Sequence, residues 1–278
     1  MKPETLKTFK IAIQLCLVCS VVVSTLAVGL KGIQDRQKEN FRRQSILSAA
    51  GLWTDGADAE KLFQENITPV ALDLETYDVS RTVKPGDKEL QLEVAERTPA
   101  LHDDLAPQED IAGLKKREKF STIYEVRDGD TVTRLILPIR GKGLWSTLFG
   151  FLALDVTNAS AGPEGYRVAG ITYYRHGETP GLGGEVENEL WRAKWPGKMI
   201  YDNDWNVQVQ VTKGADSDYE VDALSGATLT SNGVTNMLRF WLGDKGFGPY
   251  LKRLSGVSEE NSADKPSETA SAGHEVRS

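Results

Sequence analysis

Cysteine is nearly missing from this 278-residue chain: there are two, Cys16 and Cys19. Both fall inside an uncharged apolar run, so the rest of the chain has no disulfide framework and no thiol nucleophile. Their Cys-x-x-Cys spacing reads as the small apolar lining of a helix rather than a metal pair. Histidine is almost as scarce. No two of His102, His176 and His274 stand at the i, i+4 spacing that sets two zinc ligands on one helix face, so no metal site is expected. Excess positive charge is also absent. A formal net charge of -7 offers no basic stripe for a phosphate backbone, which sets nucleic acid aside as a partner.

Nucleotide and hydrolase signatures are missing too. Gly181-Leu-Gly-Gly184 and Gly141-Lys-Gly143 satisfy neither the Gly-x-Gly-x-x-Gly spacing nor the Gly-Lys-Ser/Thr ending of a phosphate loop. Taken alone they read as tight turns that need positive φ. Ser225 lacks the glycine two residues before it that a nucleophile elbow requires, and no catalytic acid, base or nucleophile emerges.

What is present begins with a long apolar run. After a short N-terminal segment (1–10), residues 11–30 (IAIQLCLVCSVVVSTLAVGL) carry no charge. Twenty helical residues cover a hydrocarbon core of about 30 Å. A cleaved signal peptide would have an apolar region of only about 7–15 residues, so the length favours a retained anchor. Lys2, Lys7 and Lys10 precede the run, while Lys31, Arg36, Lys38, Arg42 and Arg43 follow it. That count by itself favours a cytoplasmic position for the large domain.

Residues 31–57 read as a helical stalk, and the stretch DAEKLFQENI from Asp58 to Ile67 as a short amphipathic helix within a mixed α/β part, 58–130. From there to Lys119 no period is clear. Strand signals begin at Thr131 with TVTRLILPIR and continue through residues 148–156 and 166–174. NVQVQVT, from Asn206 to Thr212, alternates so well that it reads as the best half-buried strand. Helices are expected over about 186–194 and 229–242. The fold class is therefore α+β, a mostly antiparallel sheet with flanking helices behind one transmembrane helix. Residues 255–278 read as a disordered tail, poor in large apolar side chains.

Chemistry gathers at one helix start. Ser225-Gly-Ala-Thr-Leu-Thr-Ser231 lies immediately before the apolar pattern Val234, Met237, Leu238 and Trp241. Hydroxyls and free N–H groups at such a place suit a phosphate. Ordinary N-capping by Thr230 or Ser231 is the competing reading and, on these residues alone, the favoured one.

The run Asp222-Ala-Leu-Ser-Gly-Ala-Thr228 resembles the flavinylation motif of FMN-binding domains, supported by Glu178-Thr-Pro-Gly-Leu-Gly183 and Pro138-Ile-Arg-Gly-Lys-Gly-Leu-Trp-Ser146. The resemblance makes 131–254 the FMN-binding domain. It is closest to the NqrC family of the sodium-translocating NADH:quinone reductase, with the RnfG family of the Rnf electron-transport complex as the near neighbour. It implies FMN bound covalently through a phosphoester to Thr228, Thr230 being the fallback. Within the motif, Asp222 and Ser225 would serve presentation to a flavin transferase that uses FAD, and Gly226 and Ala227 would meet the phosphate.

Thr179, Leu182, Gly183 and Trp145 are candidates for the ring wall, and Glu178 for holding the glycine-rich turn. The implied role is a relay of single electrons toward a second FMN on NqrB and then quinone, with no catalytic residue of its own. Implied partners are subunits A, B, D, E and F of the same complex, the transferase and membrane lipid. The resemblance also implies the bacterial inner membrane with the flavin domain on the periplasmic side, against the lysine and arginine count. Outside this family, a membrane-anchored binding module without redox chemistry is the alternative.

Overall fold

The structure, a computed structural model, describes residues 3–256, so nearly all of the expected tail lies outside the described residues. Its first element is one uninterrupted helix, α1 (Pro3–Ala49), of 47 residues, about 70 Å long at 1.5 Å per residue. Residues 7–41 are exposed, large apolar side chains such as Ile13, Leu15 and Val23 among them. A helix apolar on every side needs an apolar solvent. Within it, the Thr25 hydroxyl donates to the Val21 carbonyl at 2.8 Å, which removes a polar group that lipid could not satisfy.

The last turn of α1 is not a free stalk. Ile46, Leu47, Ala49 and Ala50 are buried against Ile136, Phe151 and Ala153 of the sheet. Thr172 donates to the Ser45 carbonyl at 2.9 Å, and Arg134 donates to the Ala50 carbonyl. Gly170 lets the two backbones meet, since a Cβ there would run into the Ala49 carbonyl.

After α1 come α2 (Ala59–Asn66), β1 (Thr68–Asp73), α3 (Leu92–Arg97), β2 (His102–Asp104), β3 (Lys116–Glu118), β4 (Phe120–Asp128), β5 (Thr131–Lys142), β6 (Thr147–Asp155) and β7 (Arg167–Arg175). Beyond the sheet lie α4 (Glu189–Arg192), β8 (Gln210–Thr212), β9 (Glu220–Asp222), α5 (Thr228–Leu242) and α6 (Gly248–Leu254). The main sheet has the order β1-β4-β5-β6-β7 with antiparallel neighbours throughout. Helix α2 starts just after Asp58, whose carboxylate caps it by accepting from the Glu60 and Lys61 N–H groups.

Both faces of this sheet are covered. Leu135, Leu137, Ile139 and Leu152 meet α5 and α6 on one face, while Ile136 and Phe151 meet α1 on the other. Strands covered on both sides read as continuous apolar runs, which is why LILPI and LFGFLAL do not alternate. Helix α5 lies close on β5: a Cβ on Gly141 would come within 2.7 Å of Met237 Cβ, and one on Gly233 would strike the Lys142 carbonyl. Trp241 Nε1 donates to the Arg140 carbonyl at 2.7 Å and fixes the helix along the strand.

Three expectations change. The alternation in 206–212 is real for burial, with Val209 and Val211 in the core, but only Gln210–Thr212 forms a ladder, parallel to β9. The side chains of Asn206 and Gln208 turn instead to the Asp202 carboxylate, so the segment is mostly irregular. The helix expected over 186–194 divides into a 3-10 turn (Gly183–Glu187) and α4, because Asn188 caps the second piece by accepting the Leu190 N–H. Strands also begin well before Thr131: β1 and β4 belong to the same sheet as β5, so no physical boundary lies at 130/131.

Leu47→Ala should lower stability by about 2–4 kcal/mol, as for other fully buried leucines, read as a lower urea midpoint of the full chain in detergent. Ile33→Ala, on an exposed turn of the same helix, should stay within about 0.5 kcal/mol of the parent.

Candidate functional site

The loop after β7 delivers Glu178 into the interior, where it is only 5 % exposed. Its carboxylate accepts five hydrogen bonds: from the N–H groups of Leu144, Trp145 and Ser146 at 3.0–3.1 Å, from the Ser146 hydroxyl at 3.2 Å, and from the Thr230 hydroxyl at 2.8 Å. Three segments remote in sequence are thereby tied together: the turn after β5, the loop after β7 and the first turn of α5. Burial works against ionisation of this carboxyl. The Thr230 hydroxyl and the N–H groups of Ser146, Trp145 and Leu144 outweigh it and hold the pKa below the usual carboxylate range. The Glu178 N–H donates to His176 Nδ1 at 3.2 Å.

The glycines expected to supply positive φ mostly do something else. Only Gly181 of the Gly181-Leu-Gly-Gly184 run has it (φ 76°). A Cβ on Gly143 would lie 2.7 Å from Glu178 Oε1, and one on Gly183 would lie 2.6 Å from Thr230 Oγ1 and 2.8 Å from Glu178 Oε2. These two glycines leave room for the carboxylate and its hydroxyl partner. Glu178 therefore holds the 144–146 turn directly, whereas the 179–184 turn is closed by the Thr179 carbonyl, which accepts from Leu182 and Gly184.

Helix α5 is not capped by a hydroxyl. Its N-cap is Ala227, with no side-chain hydrogen bond. Both residues favoured as caps are committed elsewhere: Thr230 is 1 % exposed and bonded to Glu178, and the Ser231 hydroxyl accepts from the Leu224 N–H. The N–H groups of Thr228, Leu229 and Thr230 have no acceptor among the described residues, and the Thr228 side chain is exposed beside them. Gly226 (φ 70°) turns the chain into the helix, and a Cβ on it would touch Leu182 at 3.0 Å. Leu182, Leu144, Trp145 and Leu229 are all exposed, Trp145 to 68 %.

The structure thus brings together Trp145, Glu178, Thr179, Leu182, Gly183, Gly226, Ala227 and Thr228. Asp222 is engaged differently: its carboxylate accepts from Lys194 Nζ at 2.9 Å and from the Ala215 N–H, and its carbonyl accepts from Trp191 Nε1. The Lys194 ammonium holds its carboxyl below the usual range. Ser225 is exposed. Sequence reasoning misses Leu144 and Leu229, although Leu229 stands off the stripe of Val234, Met237, Leu238 and Trp241 that packs inward. Backbone N–H groups without an acceptor among the described residues, an exposed hydroxyl and uncovered apolar side chains therefore share one corner of the domain.

Residues 143–243 match the family described as FMN-binding domain. The NqrC subunit of the Na(+)-translocating NADH-quinone reductase of Yersinia pestis is 44% identical over 260 residues, covering 89% of this chain and 92% of that protein. Its counterpart in Pseudomonas aeruginosa is 44% identical over 263 residues, covering 90% of this chain and 96% of that one. The crystal structure of NqrC from Shewanella oneidensis superposes with a TM-score of 0.66 at 28% identity, over 80% of this chain and all of that one.

Glu178→Gln should cost about 2–4 kcal/mol at neutral pH, since an amide cannot satisfy the donors that an ionised carboxylate holds. Because the folded carboxyl ionises at lower pH than the unfolded one, near 4.3, this contribution is complete above that pH. It should vanish as pH falls through the folded value. Urea unfolding of both proteins between pH 3 and 7 measures the gap.

Proposed function

The chain belongs to the NqrC family of Na(+)-translocating NADH-quinone reductases, with an FMN-binding domain, and we propose that FMN is joined by a phosphoester to Thr228 Oγ1. The protein is an FMN electron-carrier subunit of that redox-driven ion translocase, anchored by a single membrane helix. The contrast between two hydroxyls supports the attachment site. Thr228 is exposed at the unsatisfied start of α5, whereas Thr230 is buried and donates to Glu178.

FMN supplies the one-electron chemistry that side chains lack. The chain's own residues attach it, orient it and limit water. Thr228 contributes the ester oxygen: with FAD as donor, the new Oγ1–P bond replaces the P–O–P bond of the dinucleotide, AMP leaves and the threonine proton is released. The N–H groups of Thr228, Leu229 and Thr230 lie at the positive end of α5, where a phosphate is favoured. Leu144, Trp145, Leu182 and Leu229 offer the apolar surface that a planar ring would cover. Thr179, Gly183, Gly226 and Ala227 shape its approach. Asp222 and Ser225 present the loop to the flavin transferase, Asp222 being steadied by Lys194.

The electron path runs from an upstream iron-sulfur or flavin centre, through this FMN, to a second FMN on NqrB and on to quinone, within a complex of subunits A to F. The flavin domain stands on the periplasmic side. The charge count is a weaker objection than it first reads. Arg43 is paired with Glu39 and Glu60, and Arg42 donates to the Tyr124 hydroxyl, so both belong to the folded domain. Lys31, Arg36 and Lys38 then balance Lys2, Lys7 and Lys10 across the membrane segment.

Thr228→Ala, co-expressed with the transferase, should lose the flavin fluorescence of the denatured band, while Thr230→Val should keep it. In the parent, fragmentation of the tryptic peptide 214–239 should place one FMN on Thr228. Covalent flavin in Thr228→Ala would overturn the assignment. A protease added to sealed right-side-out vesicles or spheroplasts should cut the soluble domain; complete protection there would refute the periplasmic orientation.

A further inference from the structure

On the α1 face of the sheet, away from α5, a cleft of about 670 Å³ opens between the end of α1 and the 85–96 segment. That volume lies within the range of small-molecule sites, roughly 300–1,000 Å³. Phe149, Tyr174, Pro138 and Tyr124 contribute to its apolar lining. Two guanidinium groups reach it without a carboxylate within 4.0 Å among the described residues. Arg42 donates only to the Tyr124 hydroxyl, at 3.2 Å, and its Nε is buried with no partner. Arg175 lies 3.8 Å over the Phe149 ring and has no ion pair among the described residues.

The Tyr174 hydroxyl sits among these charges. Burial raises its pKa, while Arg42, Arg175 and Arg140 pull the other way and Glu118 adds to the rise. Arg140 is already matched by Glu118, at 2.5 Å with both side chains buried, so the uncompensated charge of the inner cleft belongs to Arg42 and Arg175. A buried N–H with nothing to donate to calls for a missing acceptor. The rim has the opposite sign, with Glu39, Glu93 and Glu96 exposed around the entrance. That layout repels highly charged or polymeric anions. It admits a compact anionic head carried on an uncharged, flat body.

We propose that this cleft binds a small planar phosphate or carboxylate, its anionic head between Arg42, Arg175 and the Tyr174 hydroxyl and its ring against Pro138, the Phe149 face being covered by the Arg175 guanidinium. The site is separate from Thr228 and does not depend on the flavin assignment. Phenyl phosphate is a suitable probe, titrated by calorimetry into the full-length, flavinylated protein in detergent. One saturable site is expected, with inorganic phosphate alone and phenol alone at least tenfold weaker.

Charge-assisted hydrogen bonds of about 1.5–3 kcal/mol correspond to tenfold or more in affinity. Arg175→Gln and Arg42→Gln should each weaken phenyl phosphate by that factor, and Arg175, being exposed, can be replaced without disturbing the fold. Thr228→Ala should bind as the parent does. Absence of saturable binding, equal binding by Arg175→Gln, or loss of binding in Thr228→Ala would overturn the proposal. So would a cross-link from position 175 to a neighbouring subunit in the intact complex together with no binding of the probe to the isolated chain, which would make the occupant a partner's acidic segment.

Discussion

A carboxylate buried without a cation among the described residues is the constraint around which the corner at the start of α5 is organised. An ionised group in the interior is tolerable only when its lone pairs are filled, and Glu178 fills them with three backbone N–H groups and two hydroxyls. The consequences spread outward from that requirement. The 144–146 backbone has to curl toward the acid, which projects Leu144 and Trp145 into solvent. Gly143 and Gly183 have to be glycine because the oxygen atoms occupy the space of a side chain. Thr230 is drawn inward, and with it the first turn of α5 is fixed so that Thr228, two residues earlier, faces out.

The sheet separates two tasks by its two faces. One face carries α5 and α6 with the largest part of the core, including Trp195, Trp241 and Tyr201. The other receives the end of the membrane helix through Ile46, Leu47 and Ala49. Tyr166 and Tyr201 pin the far ends of the helical layer by donating to the Leu251 and Leu242 carbonyls. Because both layers press on the same five-stranded sheet, the end of the anchor and helix α5 are packed on opposite faces only one sheet apart.

Legibility follows the range of the interactions involved. Local patterns carry far: the apolar run gives the membrane helix, DAEKLFQEN gives α2, and the branched runs give β5 to β7. Strand β4 escapes although Ser121, Ile123 and Glu125 alternate toward one side, because charged residues at Lys119 and Arg127 mask the run. Strand β1 carries Pro69 at an edge, where proline is tolerated and the signal is weakest. Residues 206–212 err the other way, since alternation reports burial and not the presence of a partner strand.

At the site, the motif resemblance leads to Thr228, while residue reading alone prefers a hydroxyl cap. What reverses that preference is an acid 52 residues before Thr230 that claims its hydroxyl. No local pattern contains that information. Gly143 and Gly183 mislead for a related reason: their constraint is a neighbour in space, not their own φ.

The continuity of α1 into the domain makes the anchor a lever. From Leu30 to Ala49 the helix extends about 28 Å, and its far end is locked to the sheet by packing and by the hydrogen bonds of Thr172 and Arg134. A tilt of roughly 10°, well inside the spread seen for membrane helices, carries the domain sideways by about 5 Å without a hinge anywhere in the soluble fold. Whatever changes the tilt of α1, lipid thickness or neighbouring membrane helices among them, would thus also displace the corner at the start of α5.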